Sequence, residues 1–192
     1  MATLFEIPIM TCKDAATWET WVSQNYTDQK GVWLKVAKKN SGFESVSVLE
    51  ALDVCLCYGW IDGQRRAYDS EYYLQKYTPR RKKSLWSQVN IGKIKRLTDA
   101  GRMKKPGIAA VEEAKADGRW AMAYASQREA TEPEDLLLAL EASTKANDFY
   151  ATLTRAEKYS VLWKLMTAKT PQTRATRLQK MIEWLEREQV IQ

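Results

Sequence analysis

The order of apolar and polar residues divides the chain into short elements punctuated by glycine, proline and capping residues. Leu4 to Ile9 reads as a short first strand. Thr11-Cys12-Lys13-Asp14 has the form of a capping box with Asp in the Glu position, opening a helix over about 12–24 whose Ala15, Trp18 and Val22 make one apolar stripe. In GVWLKVAK, residues 31–38, Val32, Leu34 and Val36 alternate with Trp33 and Lys35, the period of a strand. Ser47-Val48-Leu49-Glu50 is a fuller capping box; it starts a helix that runs through about Tyr58, with Gly59 as its stop. WIDGQRR, 60–66, and SEYYLQKYT, 70–78, then read as an antiparallel pair turning near Ala67 to Ser70.

Beyond the hairpin the periodicity is helical. One helix runs from about Ser87 or Asn90 to Ala100 and stops at Gly101; another spans about Gly107 to Asp117 and stops at Gly118. SQREATEP, 126–133, is polar and breaks the pattern, as a linker does. After it, Thr131 to Glu134 should cap a helix carrying Leu136, Leu137 and Leu140, and Thr154-Arg155-Ala156-Glu157 is a capping box ahead of Tyr159, Leu162, Trp163 and Met166. Pro171 suits the first turn of a last helix with Leu178, Ile182 and Leu185 facing inward. The expected organisation is an α+β domain over 1–125 and a helical unit over 131–192, its four short helices forming a small bundle.

Composition narrows the chemistry. There is no histidine, which removes Ser-His and Cys-His nucleophile pairs, the usual proton shuttle near neutral pH and most zinc geometries. The three cysteines, Cys12, Cys55 and Cys57, are too few for a thiolate-only zinc site, and Cys55 and Cys57 sit in an apolar segment that favours burial. No apolar run approaches the roughly 18 residues of a membrane span, and MATLFEIPIMTCK lacks the features of a signal peptide. The expected address is cytoplasmic, with no membrane insertion and no cofactor.

Charge is uneven. Of a net +6, the window from Lys76 to Lys105 holds eleven Lys or Arg against one acid, Asp99, so the remainder is net acidic. At its centre, TPRRKKSLWSQVN (78–90) sets four cations just before a helix start, the end of a helix that ordinarily favours negative charge. Pro79 pushes Thr78 toward an extended conformation, so the strand should end there and the chain turn through Arg80 to Lys83. Ser87 and Asn90 are both N-cap candidates, and a helix start leaves backbone N–H groups open to an anion that Arg80 and Arg81 could clamp. The plain alternative is a solvated turn with Asp62, Asp69 or Glu71 as counter-charges.

Across the hairpin, Asp62, Gln64 and Arg65 could project toward that loop, while Gly63 would serve a strand-end turn with positive φ. Tyr73 and Tyr77 share a strand face with Gln75 and either line a pocket or cover the sheet. Trp86 follows the basic run and is placed either to stack on an aromatic ligand or to pack in the core. Arg174, Arg177 and Lys180 recur every three residues in the last helix, as a solvated ridge or a second anionic contact.

CYGWIDGQRR, YYLQKYTPRRKKSLWSQVN, GRMKKPGIAAVEEAKADGRW (101–120) and EKYSVLWKLMTAKTPQTRATRLQKMIEWL (157–185) together resemble the YdeI/OmpD-associated, or bacteriocin-protection, family of bacterial proteins. The resemblance runs over nearly the whole chain. It implies a YjbR/CyaY-like α+β fold, a twisted antiparallel sheet packed with helices and followed by a C-terminal all-helical unit. It also implies an association with bacteriocin resistance and an outer-membrane porin, and carries over no catalytic residue.

Three functions compete. The first is a cytoplasmic binding or protection protein with a pocket for a small phosphate- or carboxylate-bearing ligand between the 60–78 hairpin and the helix near 87–90. The second is nucleic-acid binding through the basic 76–105 segment, with Trp86 and Tyr77 stacking. The third, ranked last, is an enzyme using Asp62 with Tyr73, Arg80 or Ser87. For want of histidine and a fourth cysteine, the purified protein should hold no stoichiometric transition metal; elemental analysis finding about one zinc or iron per chain would contradict this.

Overall fold

The computed structural model describes residues 7–189. The chain divides into two compact units: one runs to Ser84 and resumes over Gly92–Gly118, and the other takes Leu85–Ile91 and the chain from Arg119 onward. In the first lie β1 (Ile9–Thr11), α1 (Ala15–Asn25), β2 (Val32–Ala37), α2 (Val48–Cys57), β3 (Trp60–Ala67), β4 (Tyr72–Pro79), most of α3 (Gln88–Asp99) and α4 (Lys105–Ala116).

The four strands form one sheet in the order β1-β2-β4-β3. β2–β4 and β3–β4 are antiparallel, but β1 runs parallel to β2, with Ile9 opposite Trp33 and Thr11 opposite Lys35. The sheet is therefore mixed, not antiparallel throughout. The cause is α1, which carries the chain back between β1 and β2 so that both strands run the same way. The strand expected over Leu4 to Ile9 begins outside the described residues, and β1 continues through Thr11. Because Thr11 is still strand, Asp14 rather than Thr11 caps α1, its carboxylate accepting from the Thr17 N–H at 2.8 Å.

Alternation puts Val32, Leu34 and Val36 on one sheet face with Tyr77, all buried. Against that face Trp18 stacks on Trp21 at 5.4 Å, tilts toward Tyr77 at 5.5 Å and donates its indole N–H to the Ala51 carbonyl at 3.1 Å. Burying side chains of this size contributes about 1.5–3 kcal/mol each, and the tilted ring pair adds about 0.5–1.5 kcal/mol. On the other face Trp33 is also buried, with the Arg66 and Lys76 charges 5.3 and 5.8 Å from its ring centre. There the long cationic stems take part of the cover that a helix gives the first face.

The capping box at Ser47 is complete: the Glu50 N–H donates to the Ser47 hydroxyl, and the Glu50 carboxylate accepts from the Ser47 N–H. The same helix buries a charge. Asp53, 8% exposed, pairs with Lys93 at 3.2 Å and Arg96 at 2.5 Å, which engages two cations of the basic window and offsets one of their charges. α2 stops at Gly59, whose φ of +75 fits glycine alone at low cost.

The second unit holds α5 (Glu134–Glu141), α6 (Thr144–Thr152), α7 (Arg155–Met166) and α8 (Pro171–Glu186) around a core that includes Leu136, Leu140, Tyr150, Leu162, Leu165 and Leu185. The Thr154–Glu157 box caps α7 as expected. Thr131 caps nothing: Pro133 holds the N-cap position of α5 without a side-chain bond, and Leu137 is exposed. The Arg174–Lys180 ridge is not simply solvated. Arg174 forks onto Asp135 at 2.7 and 2.8 Å and reaches the Leu165 carbonyl at 2.9 Å, while Arg177 reaches the Lys164 carbonyl at 2.7 Å. Two of its three cations thus satisfy carbonyls at the end of α7.

The packing of α4 on α2 turns on Gly107. A Cβ there would lie 2.2 Å from the Cys57 carbonyl oxygen, inside contact distance. Gly→Ala within an exposed helix ordinarily stabilises by roughly 0.5–1 kcal/mol. Here the steric term decides the sign, and Gly107→Ala should destabilise by about 1–3 kcal/mol in urea unfolding. A midpoint equal to or above that of the parent would refute the contact.

Candidate anion site

The site starts from an irregularity in the hairpin. Asp62 pairs with Tyr77, but the next pairing is Arg65 with Gln75, so β3 uses one more residue than β4. This is a β-bulge at Gly63 and Gln64. Gly63 is therefore neither at a strand-end turn nor among the glycines with positive φ; it lies inside β3, where a bulge needs little side chain. A one-residue insertion exchanges the faces of everything that follows. Arg65 consequently joins Tyr73, Gln75 and Tyr77 on the helix-bearing face, and Arg66 turns to the Trp33 face.

Gln75, 3% exposed, completes the bulge. Its amide nitrogen donates to the Gly63 carbonyl at 2.9 Å, and its amide oxygen accepts from Arg65 Nε at 3.2 Å. The Arg65 guanidinium also lies 4.6 Å from the centre of the Tyr73 ring. Held by Nε and by the ring, it keeps its two terminal nitrogens, for which no partner occurs among the described residues. That fork is the geometry that grips a carboxylate or phosphate.

Arg65 and Tyr73 line a cavity of about 950 Å³ with Lys13, residues 36–40, residues 43–50 and Asp14. Most of its charges are already engaged. The Ser47 hydroxyl and N–H hold the Glu50 carboxyl below its usual range, and the Thr17 N–H does the same for Asp14. Lys38 donates to the Asp69 carbonyl at 2.6 Å, and Lys13 lies 3.9 Å from Asp14. Arg65 and Lys39 remain against Glu44, so the cavity offers net positive groups to a ligand.

The other residues singled out by sequence are dispersed. Asp62 is half-buried beside Tyr77, and Gln64 is exposed at the bulge. Tyr77 is 0% exposed, with its hydroxyl 3.4 Å from the Val48 carbonyl, and burial pushes its phenol well up; it is a core residue. Arg80 is half-buried and donates its N–H to the Gly59 carbonyl at 3.0 Å; Arg81, Lys82 and Lys83 are exposed. In the second unit Trp86, 1% exposed, packs 4.9 Å from Trp120, so its ring belongs to the core. Ser87 rather than Asn90 caps α3: its hydroxyl accepts from the Asn90 N–H at 3.1 Å, and the Gln88 N–H donates to the Tyr124 carbonyl at 2.9 Å. Two N–H groups of that helix start are thus engaged.

Distance along β4 separates the arginines. From Tyr73 to Pro79 the strand rises about 20 Å, too far for one compact anion to touch both Arg65 and the Arg80–Arg81 turn. The same length places Asp69 and Glu71 at the far end of the hairpin, about 25 Å from the basic turn, so neither neutralises it. Asp69 instead accepts from the Glu71 and Tyr72 N–H groups at 2.9 and 2.7 Å, closing the hairpin. Gln75 was visible only as a strand residue sharing a face with two tyrosines. The loop over 38–47 carried no pattern that marked it as a wall.

The chain is thus an α+β protein with an arginine-bearing cavity, continued by an all-helical C-terminal region. Residues 10–110 match a domain of unknown function, DUF8412, and the chain belongs to that family. Residues 129–188 match the family described as bacteriocin-protection, YdeI or OmpD-associated. The expected family is present over the helical region, whereas GWIDG and the TPR element fall in the segment matched by the other. No curated protein and no solved structure matches the chain. Among the described residues, no helix is long and apolar enough to cross a membrane.

If Gln75 holds the bulge and Arg65 together, Gln75→Leu should cost about 1–3 kcal/mol, because it removes the buried amide's bonds to both the Gly63 carbonyl and Arg65 Nε. Arg65→Ala, at the exposed end of the same bond, should cost less than Gln75→Leu. Equal losses in denaturant unfolding would mean that the amide is not the keystone.

Proposed function

We propose that this chain is a bacterial cytoplasmic protein of the bacteriocin-protection kind whose α+β unit binds a small carboxylate- or phosphate-bearing ligand beside Arg65 and Tyr73. One observation carries the reading: a guanidinium fixed through Nε and an aromatic ring, with its terminal nitrogens at a cavity of about 950 Å³. Pre-organisation of this kind lowers the ordering cost of binding. The packing of α1 and α2 on one sheet face supports a YjbR/CyaY-like arrangement, from which the parallel β1–β2 pair departs.

Nucleic-acid binding is the second reading, favoured by the exposed Arg81, Lys82 and Lys83. Against it, Lys93 and Arg96 pair with Asp53, and Lys104 lies 3.6 Å from Glu19, so the basic window is broken into patches.

Calorimetry with inorganic phosphate and citrate, and with a short oligonucleotide in parallel, separates the two. Arg65→Ala should abolish binding of the small anions, Arg65→Lys should weaken it at least about tenfold for loss of the fork, and Arg81→Ala should leave it unchanged. Oligonucleotide binding with a log–log salt slope of about −0.9 per phosphate contacted, insensitive to Arg65, would favour the second reading. Binding of neither class would sink both.

A further inference from the structure

Two of the large apolar side chains that the fold leaves in solvent line the Arg65 cavity: Leu49 is 66% exposed and Phe43 49%. A lone exposed leucine is ordinary, but two apolar side chains around one arginine-bearing cavity form a patch. The fold does not need Leu49 where it stands. It is the second residue of α2, whose start is already closed by the Ser47–Glu50 box, and the two positions that staple a helix start, Val46 and Ala51, hold buried side chains. Phe43 lies on the loop after β2, which is tied down at both ends: the Lys38 N–H donates to the Glu71 carbonyl at 2.8 Å, and the Val46 N–H to the Cys12 carbonyl at 2.9 Å. Its ring tilts against Tyr72 at 5.5 Å, which positions it and leaves half of it in water.

The polar half of the cavity fixes how many charges a ligand brings. With Nε on the Gln75 oxygen and its face on the Tyr73 ring, the Arg65 guanidinium offers one edge, between its terminal nitrogens. That edge matches one carboxylate through two parallel bonds, whereas a phosphate brings three oxygens and nearly two charges to the same single fork. The Tyr73 ring is itself taken by the guanidinium. Apolar contact therefore comes from Leu49, Phe43 and the half-buried Val48.

We propose that the ligand of the Arg65 cavity is a monocarboxylate with an apolar body, its carboxylate on the guanidinium and its hydrocarbon against Leu49 and Phe43. This narrows the function proposed above and rests on it. A compact polyanion would leave both apolar side chains in water, and a neutral hydrocarbon would leave the fork without a carboxylate.

The test is calorimetry on the full chain with acetate, butyrate, octanoate, octanol, citrate and inorganic phosphate. Affinity should rise about threefold for each methylene from butyrate to octanoate. Octanoate should bind more tightly than citrate or phosphate, and octanol at least about tenfold more weakly than octanoate. Arg65→Ala should abolish binding of every anion. Leu49→Gln, a swap between good helix formers at an exposed position, should weaken octanoate at least about fivefold and leave the melting temperature unchanged. Acetate, citrate and phosphate binding through Arg65 with no gain along the chain-length series would overturn the monocarboxylate and leave the small-anion reading standing. No anion binding through Arg65 would overturn both. Octanol as tight as octanoate, or octanoate indifferent to Leu49→Gln, would also overturn the proposal.

Discussion

The amide of Gln75 sits where the β3–β4 ladder loses its regular pairing, and the arrangement of the hairpin follows from that. A bulge takes backbone groups out of the ladder, and each then needs another partner. Gln75 supplies the missing donor at Gly63 and uses its remaining acceptor on Arg65. The extra residue also decides which arginine faces which side of the sheet. Without it, Arg66 rather than Arg65 would share a face with Tyr73, and the cavity would lose its fork.

A second constraint is the use made of acidic side chains. Asp14, Glu50 and Glu157 close helix starts, and Asp53 and Asp135 hold arginines or lysines from other elements. Hydrogen bonds from Ser47, Thr17, Thr154 and Arg174 lower the affinity of Glu50, Asp14, Glu157 and Asp135 for protons. Groups with depressed values in the folded state contribute their stability above the unfolded value, roughly pH 4, and lose it as pH falls through the folded one. With so many carboxylates committed to the framework, the cations left over define where an anion can go.

Local chemistry was the legible part of the sequence. The boxes at Ser47 and Thr154, the stops at Gly59, Gly101 and Gly118, Pro171 at a helix start and the 60–78 hairpin all depend on residues within a few positions of one another. Strand direction does not: β1 is parallel to β2 only because α1 intervenes, which no pattern in either strand encodes. The bulge was hidden because Asp62-Gly63 has the composition of a turn. α6 was not placed because Ser143 caps it without a Glu three residues on. Arg65 and Tyr73 stood out in the sequence as candidates, but their separation from Arg80 and Arg81 required the register of β4. The Arg174 ridge looked solvated because its carbonyl partners lie on a different helix.

Those partners set an order of events during synthesis. α5, α6 and α7 leave the ribosome before α8, and until α8 follows, Asp135 lacks its guanidinium while the Lys164 and Leu165 carbonyls lack Arg177 and Arg174. Met181 and Leu185, two buried members of the same core, are missing from it over that interval. The helical region therefore cannot close piecemeal as it emerges. Its ion pair, its two carbonyl partners and the last of its core side chains all arrive together with α8.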